Sequence, residues 1–298
     1  MSEMAPNATI DVVIKQDQSV GPWKEAWRSF KKSKAALVGA MIVAFFILLA
    51  IVGPLLVTEG INDQVLKDRL QPPSADHWFG TDDFGRDIFS RVVHGARISL
   101  WVGFSSVIGS VVVGSILGII AGYYGRWIDT IISRIFDIML AFPSILLAIA
   151  VVSILGPSLQ NALIAIAIIN VPNFGRLIRS KVLSIKQEEY ITSAKAIGMK
   201  DARILFSHIL PNSMTPVIVQ GTLAIASAII EAAALGFLGL GAEAPTPEWG
   251  KMLADARIYL INAPWTMIFP GLAIMLTVLG FNLMGDGLRD ALDPKMKN

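Results

Sequence analysis

The sequence predicts an all-α integral membrane protein with six transmembrane helices and both termini on the cytoplasmic side. Hydrophobic residues fill 54% of the 298 positions against 16% charged, with a mean hydropathy of +0.61, more apolar than a soluble domain carries. Windows of about twenty residues almost free of charge recur, each sufficient to cross a ~30 Å hydrocarbon core. Lysine and arginine divide 18 to 7 in favour of the segments that share the N-terminal side, which makes that side cytoplasmic.

Residues 1–34 form a polar cytoplasmic segment, amphipathic around Trp23, Trp27 and Phe30. No apolar h-region or small-residue cleavage pattern is present in it, so no cleaved signal peptide is expected. The first span is 35–57, followed by an extracytoplasmic loop, 58–97. A five-helix core over 98–286 holds the remaining spans, expected at 98–122, 130–155, 161–179, 214–240 and 264–285. Residues 287–298 form a cytoplasmic tail. Pro143 and Pro172 fall inside apolar runs and are expected as kinks, tolerated where neighbours satisfy the freed carbonyls.

Several function classes recede on composition. A net charge of +2 offers nothing to nucleic acid, and the absence of cysteine excludes disulfides and thiolate metal sites. His77, His94 and His208 fall on different sides of the membrane, so no metal site or catalytic constellation is expected. No G-x-x-x-x-G-K-[ST] pattern is present, so ATP would be bound elsewhere. No internal repeat supports a secondary transporter of inverted halves. Two rivals remain: an intramembrane enzyme using Asp137 or Glu231, and a channel or ion-coupled transporter acting alone.

Within the second span Ser106, Ser110, Gly114, Gly118 and Gly122 recur every fourth residue, a ribbon against which another helix can pack closely. On the fifth, Gln220, Ala224, Ser227 and Glu231 share one face, so the carboxylate is expected to line a pore or interface rather than meet lipid. Asp137 on the third span is a weaker candidate, because Arg134 draws it toward the cytoplasmic boundary.

The cytoplasmic loop 187–212, QEEYITSAKAIGMKDARILFSHILPN, reads as two short helices about a glycine corner. Tyr190, Ala194 and Ile197 form one apolar stripe, and Gly198 suits the left-handed position that ends the first helix. Asp201 favours the start of the second, which Pro211 is expected to end.

This loop resembles the one by which ABC-importer permeases engage their ATPases, E-A-A, three residues, G, nine residues, I-x-L-P. Gly198, Leu210 and Pro211 match, and Thr192, Ser193 and Ala194 occupy the E-A-A positions. The literal E-A-A at EAAALGFLGLG, from Glu231, has the wrong spacing before Gly236 and no L-P, so it is a decoy. DHWFGTDDFGRDIFSRVVHGARISL, APTPEWGKMLADAR and FPGLAIMLTVLGFNLMGDGLRDALDPK resemble the second, shorter-loop permease of the dipeptide/oligopeptide/nickel class.

That resemblance implies a type I permease fold in the bacterial cytoplasmic membrane. It also implies a homologous second permease, two ATPase subunits that bind ATP and magnesium, and an extracytoplasmic substrate-binding protein. Dipeptides, longer peptides, glutathione, opines and nickel chelates all remain open as substrate. In the outer loop, Asp82, Asp83, Arg86 and Asp87 sit among Gly80 and Gly85. They are expected either to shape the outer vestibule or to meet the binding protein, and their spacing is not that of a calcium loop.

Overall fold

The computed structural model describes residues 22–57 and 60–292, and among them every regular element is helical. Helix α1 (Pro22–Lys32) precedes α2 (Lys34–Leu56), which Ser33 caps by accepting from the Ala36 amide. Phe30 of α1 is buried with Ala36 and Ala291, whereas Trp27 is exposed beneath Lys31. The described parts of the two chain ends therefore lie together, as N-in/C-in topology requires. The Trp23 side chain, residues 1–21 and 293–298 lie outside the described residues.

Helix α3 (Ile88–Tyr124) has 37 residues, about 55 Å at 1.5 Å per residue and far longer than the membrane core. Asp87 starts it ten residues before the expected 98, by accepting from the Ser90 amide at 2.9 Å. Within the segment 58–97 expected outside the membrane, the chain is therefore helical from Ile88 onward.

The expected third span, 130–155, is two helices, α4 (Arg126–Leu140) and α5 (Ser144–Leu155), bent by 97°. A kink was expected at Pro143, and a break is found. Proline lacks an amide hydrogen and excludes helical geometry from the residue before it, so Ala141 to Pro143 leave the helix together.

Helix α6 (Leu159–Ile185) runs through Pro172 and past the expected end at 179. The cytoplasmic loop contains α7 (Glu189–Ala196) and α8 (Asp201–Ile204). Helix α9 (Leu210–Phe237) follows, then α10 (Trp249–Ala256) and α11 (Trp265–Leu292). Five described helices are long and apolar enough to span, and the bent pair supplies a sixth.

Pro211 does not end the second loop helix as expected. A π-turn over Leu205–Ile209, in which the Leu210 amide reaches back to Leu205 O, carries α8 directly into α9. The wide turn lies just ahead of the proline, so the carbonyls that would meet its ring and its missing amide hydrogen are already out of regular α-helical register.

The core is built on α3 against α6, where the small-residue ribbon meets backbone. Ser110 Oγ donates to Ala167 O at 2.9 Å, and Gly114 and Gly118 face Val171, Phe174 and Gly175 with no room for a side chain. Packing contacts of this kind hold helices together in lipid, where burial of apolar surface contributes little. Phe136 of α4 fills the other side of Gly175.

Candidate functional site

At the break between α4 and α5 lies an open cleft of about 250 Å3. Irregular backbone at membrane depth is tolerated where it lines such a space. Phe142, Ser144 and Leu147 form one wall, α6 contributes Asn170 and Asn173, and α9 contributes Gln220, Ser227 and Glu231. The polar face of α9 lines this cleft. Asn170 Nδ2 donates to Glu231 Oε2 at 3.0 Å and to Ile166 O at 3.0 Å.

Asp137 does not line this cavity. It is half-exposed and pairs with Arg176 on α6. About two turns nearer the start of α4, Asp129 pairs with Arg179 in a bidentate contact, with Nη2 at 2.7 Å from Oδ2. Asn170 and Asn173 were missed because lone amides on an apolar helix carry little signal. Their spacing of three residues, on the same helix as Arg176 and Arg179, is the pattern that marks this face.

At the cytoplasmic end, Gly198 has φ +77° and closes α7 with two reversed hydrogen bonds. The Met199 amide donates to Ala194 O and the Gly198 amide to Lys195 O, each at 3.0 Å, the pairing of a Schellman cap. The apolar stripe is not the expected one. Ile191 and Ala194 are buried with Ile204 and Ile209, whereas Tyr190 and Ile197 are exposed. Helix α7 begins at Glu189, and that start orients the Ile191/Ala194 pair toward the bundle. Thr192, Ser193, Pro211 and Phe206 are exposed as well.

One tyrosine ties this segment to the spans. Tyr123, at the end of α3, donates from its hydroxyl to Asp201 Oδ1 at 2.5 Å. Its carbonyl accepts from Lys186 Nζ at 2.6 Å, and Lys195 Nζ lies 5.2 Å from the ring centroid. A buried tyrosine seldom leaves its hydroxyl without a partner, but sequence alone does not choose among the carboxylates nearby.

At the opposite end, Asp82 accepts from the amides of Phe84 and Arg86 and from Arg86 Nε, the last at 2.6 Å. Arg91 donates to Ile61 O and Pro245 O, which joins the two outer segments. Asp83 stands apart from this turn, 4.0 Å from Arg86. Burial and the neighbouring Asp82 raise its carboxyl above the usual range, while Arg86 opposes them. Asp82, Arg86 and Asp87 thus organise their own loop.

The segment after α9 is not a loose loop either. Trp249 is fully buried and its indole donates to Val92 O at 3.0 Å. Glu248 caps α10 by accepting from the Gly250 and Lys251 amides at 2.9 and 2.8 Å. Burial pushes its carboxyl upward, and those donors hold it back. A side chain at Gly236 would meet Glu248 Oε2 at 2.5 Å, which accounts for a glycine in EAAALGFLGLG. Glu248→Gln places an amide donor against amide donors; a loss of about 1–3 kcal/mol in stability is expected, read by thermal unfolding in detergent.

A polar cleft with a carboxylate on a multi-pass helical bundle marks a functional site of an integral membrane protein. Residues 114–298 match the binding-protein-dependent transport system inner membrane component, and residues 21–73 the N-terminal transmembrane domain of oligopeptide transport permease C. The chain belongs to the family of binding-protein-dependent transport permeases, multi-pass components of the inner membrane.

It is 67% identical to a dipeptide transport system permease of Alkalihalophilus pseudofirmus, over 95% of this chain and 93% of the relative. It is 49% identical to a glutathione transport system permease of Pectobacterium atrosepticum, over 98% and 97%. It is 48% identical to a di/tripeptide transport system permease of Pseudomonas aeruginosa, over 93% of each. Among solved structures, an inward-facing MetNI methionine ABC transporter matches with a TM-score of 0.55 at 20% identity, over 67% of this chain and 96% of that one. This last likeness supports the type I permease fold.

Proposed function

We infer that this chain is one of two permease subunits of an ATP-driven importer of short peptides in the bacterial cytoplasmic membrane. The polar cavity at the α4–α5 break is the observation that carries the reading, because the relatives that share this sequence are permeases for dipeptides, tripeptides and glutathione. A homologous permease completes the path. An extracytoplasmic binding protein delivers the peptide, and two ATPases bind ATP with magnesium. The chain itself performs no catalysis; it carries no phosphate-binding loop.

The segment from Tyr190 to Pro211 is the contact for the ATPases. Exposed Tyr190, Ile197 and Phe206 offer it an apolar docking face beside Thr192 and Ser193. Motion imposed there reaches α3 through Asp201 and Tyr123, and α9 through the unbroken π-turn. Tyr123→Phe removes the hydroxyl donor at a cost of about 1 kcal/mol, reduced by the exposure of Asp201. Uptake per ATP hydrolysed is expected to fall several-fold while ATP hydrolysis continues, measured in reconstituted vesicles.

Purification from native membranes tests the whole reading. Recovery of a sister permease and two ATPases, with ATP-dependent peptide uptake after reconstitution, is expected. Flux through this chain alone, without ATP, would establish a channel or ion-coupled transporter instead.

A further inference from the structure

We propose that Glu231 and Asn170 form a transit site for a cationic side chain of a peptide, such as the ammonium of lysine, an inference that rests on the peptide-importer reading above. Glu231 is the one charged residue among the groups lining the cavity; the polar remainder are Ser144, Asn170, Asn173, Gln220 and Ser227. All of these are neutral, so the space as a whole favours a cation. No lysine, arginine or histidine lines it to pair with the carboxylate.

The local bonding leaves acceptors for such a guest. Asn170 spends both amide hydrogens, one on Ile166 O and one on Glu231 Oε2, and so turns its own carbonyl oxygen to other use. The second carboxylate oxygen of Glu231 is not engaged by that amide. An ammonium has three donors and no acceptor, which suits a carboxylate beside an amide carbonyl and the Ser227 hydroxyl.

Glu231 and Asn170 are half-buried, so a cation that reaches them sheds part of its water. Desolvating an ammonium is costly, and a fixed carboxylate offsets that cost. The offset is deliberately partial. Asn170 already neutralises part of the demand of Glu231, and a site that held its guest tightly would favour one transport state and slow release. Both termini are common to every peptide, so what the cavity separates is the added side-chain charge: a lysine ammonium gains this contact and a glutamate carboxylate does not.

The test uses the complete importer in liposomes, with binding protein saturated by Lys-Ala or by Ala-Glu, so that maximal uptake rate reports the path. Wild type is expected to favour Lys-Ala. Glu231→Gln is expected to lower Lys-Ala uptake about tenfold, the scale of one hydrogen bond to a charged group, and to erase the preference. Glu231→Asp should restore most of it.

Equal losses for both peptides in Glu231→Gln, with assembly and ATPase activity intact, would reduce Glu231 to a packing residue and overturn the site. Unchanged rates would overturn it too. If wild type imports neither peptide, the importer reading falls and this inference with it; if wild type imports both and only the charge preference is missing, this inference alone fails.

Discussion

Gly118→Leu is expected to abolish the folded, membrane-assembled protein. A Cβ at this position would press directly on Gly175 O, a backbone atom that has no rotamer by which to yield. The neighbouring turns are as tight. A Cβ at Gly114 would meet Val171 O at 2.7 Å, and one at Gly122 would meet Val182 Cβ at 2.9 Å. Three successive contacts fix the distance between α3 and α6, so the helices cannot separate at one point without losing the others. Overpacking costs typically about 1–3 kcal/mol where side chains adjust, and here only backbone is available to move. Because Asn170 and Asn173 ride on α6, the cavity would be displaced as well.

The measurement is the monodisperse fraction in mild detergent together with the unfolding temperature. Gly221→Ala is the matched control, since a Cβ there meets nothing within 4 Å. Replacing glycine by alanine in a helix interior is neutral or stabilising by up to about 1 kcal/mol, so Gly221→Ala should keep full yield. Equal yields for Gly118→Leu and Gly221→Ala would show that α3 and α6 do not pack as described.

The ribbon behind this prediction was legible because a period of four residues is a property of one helix. Its partner was not, because Val171, Phe174 and Gly175 form no pattern until α3 is laid against them. The same distinction holds across the molecule. The polar face of α9 followed from the spacing of Gln220, Ser227 and Glu231, but Asn170 becomes recognisable only through its bond to Glu231. Asp137 shows the same limit: Arg134 is near it in sequence, while Arg176 pairs with it in space.

Backbone breaks were the least legible feature. Pro143 and Pro211 carry the same local chemistry, yet one ends a helix beside the cleft while the other sits in a continuous helical path. The difference is the π-turn before Pro211, which depends on Ile204 and Ile209 being held in the core. Propensity is local and that burial is not.

Gly198→Val is expected to abolish peptide uptake while leaving the protein inserted and assembled. The position has φ +77° and open space around its Cα, so the substitution creates no collision. Its whole effect is on the backbone: a β-branched residue in left-handed geometry costs roughly 1–2 kcal/mol. That cost falls on the Schellman cap, whose two bonds hold Met199 against the core and set the angle between α7 and α8. A strain of this size reduces the population of the capped turn by about five- to thirtyfold relative to its opened forms. The bundle, whose stability comes from α3, α6, α9 and α11, is untouched.

Uptake and ATP hydrolysis must therefore be read separately from yield. Gly198→Val should give normal yield, ATP hydrolysis no longer stimulated by loaded binding protein, and uptake at background. Gly198→Asn provides the decisive comparison, because asparagine tolerates the left-handed region far better than valine. Substantial uptake in Gly198→Asn beside its loss in Gly198→Val would assign the effect to the turn itself. Normal transport in both would mean that the shape of the 187–212 segment does not carry the motion of the ATPases, and the contact would have to be sought elsewhere on the cytoplasmic face.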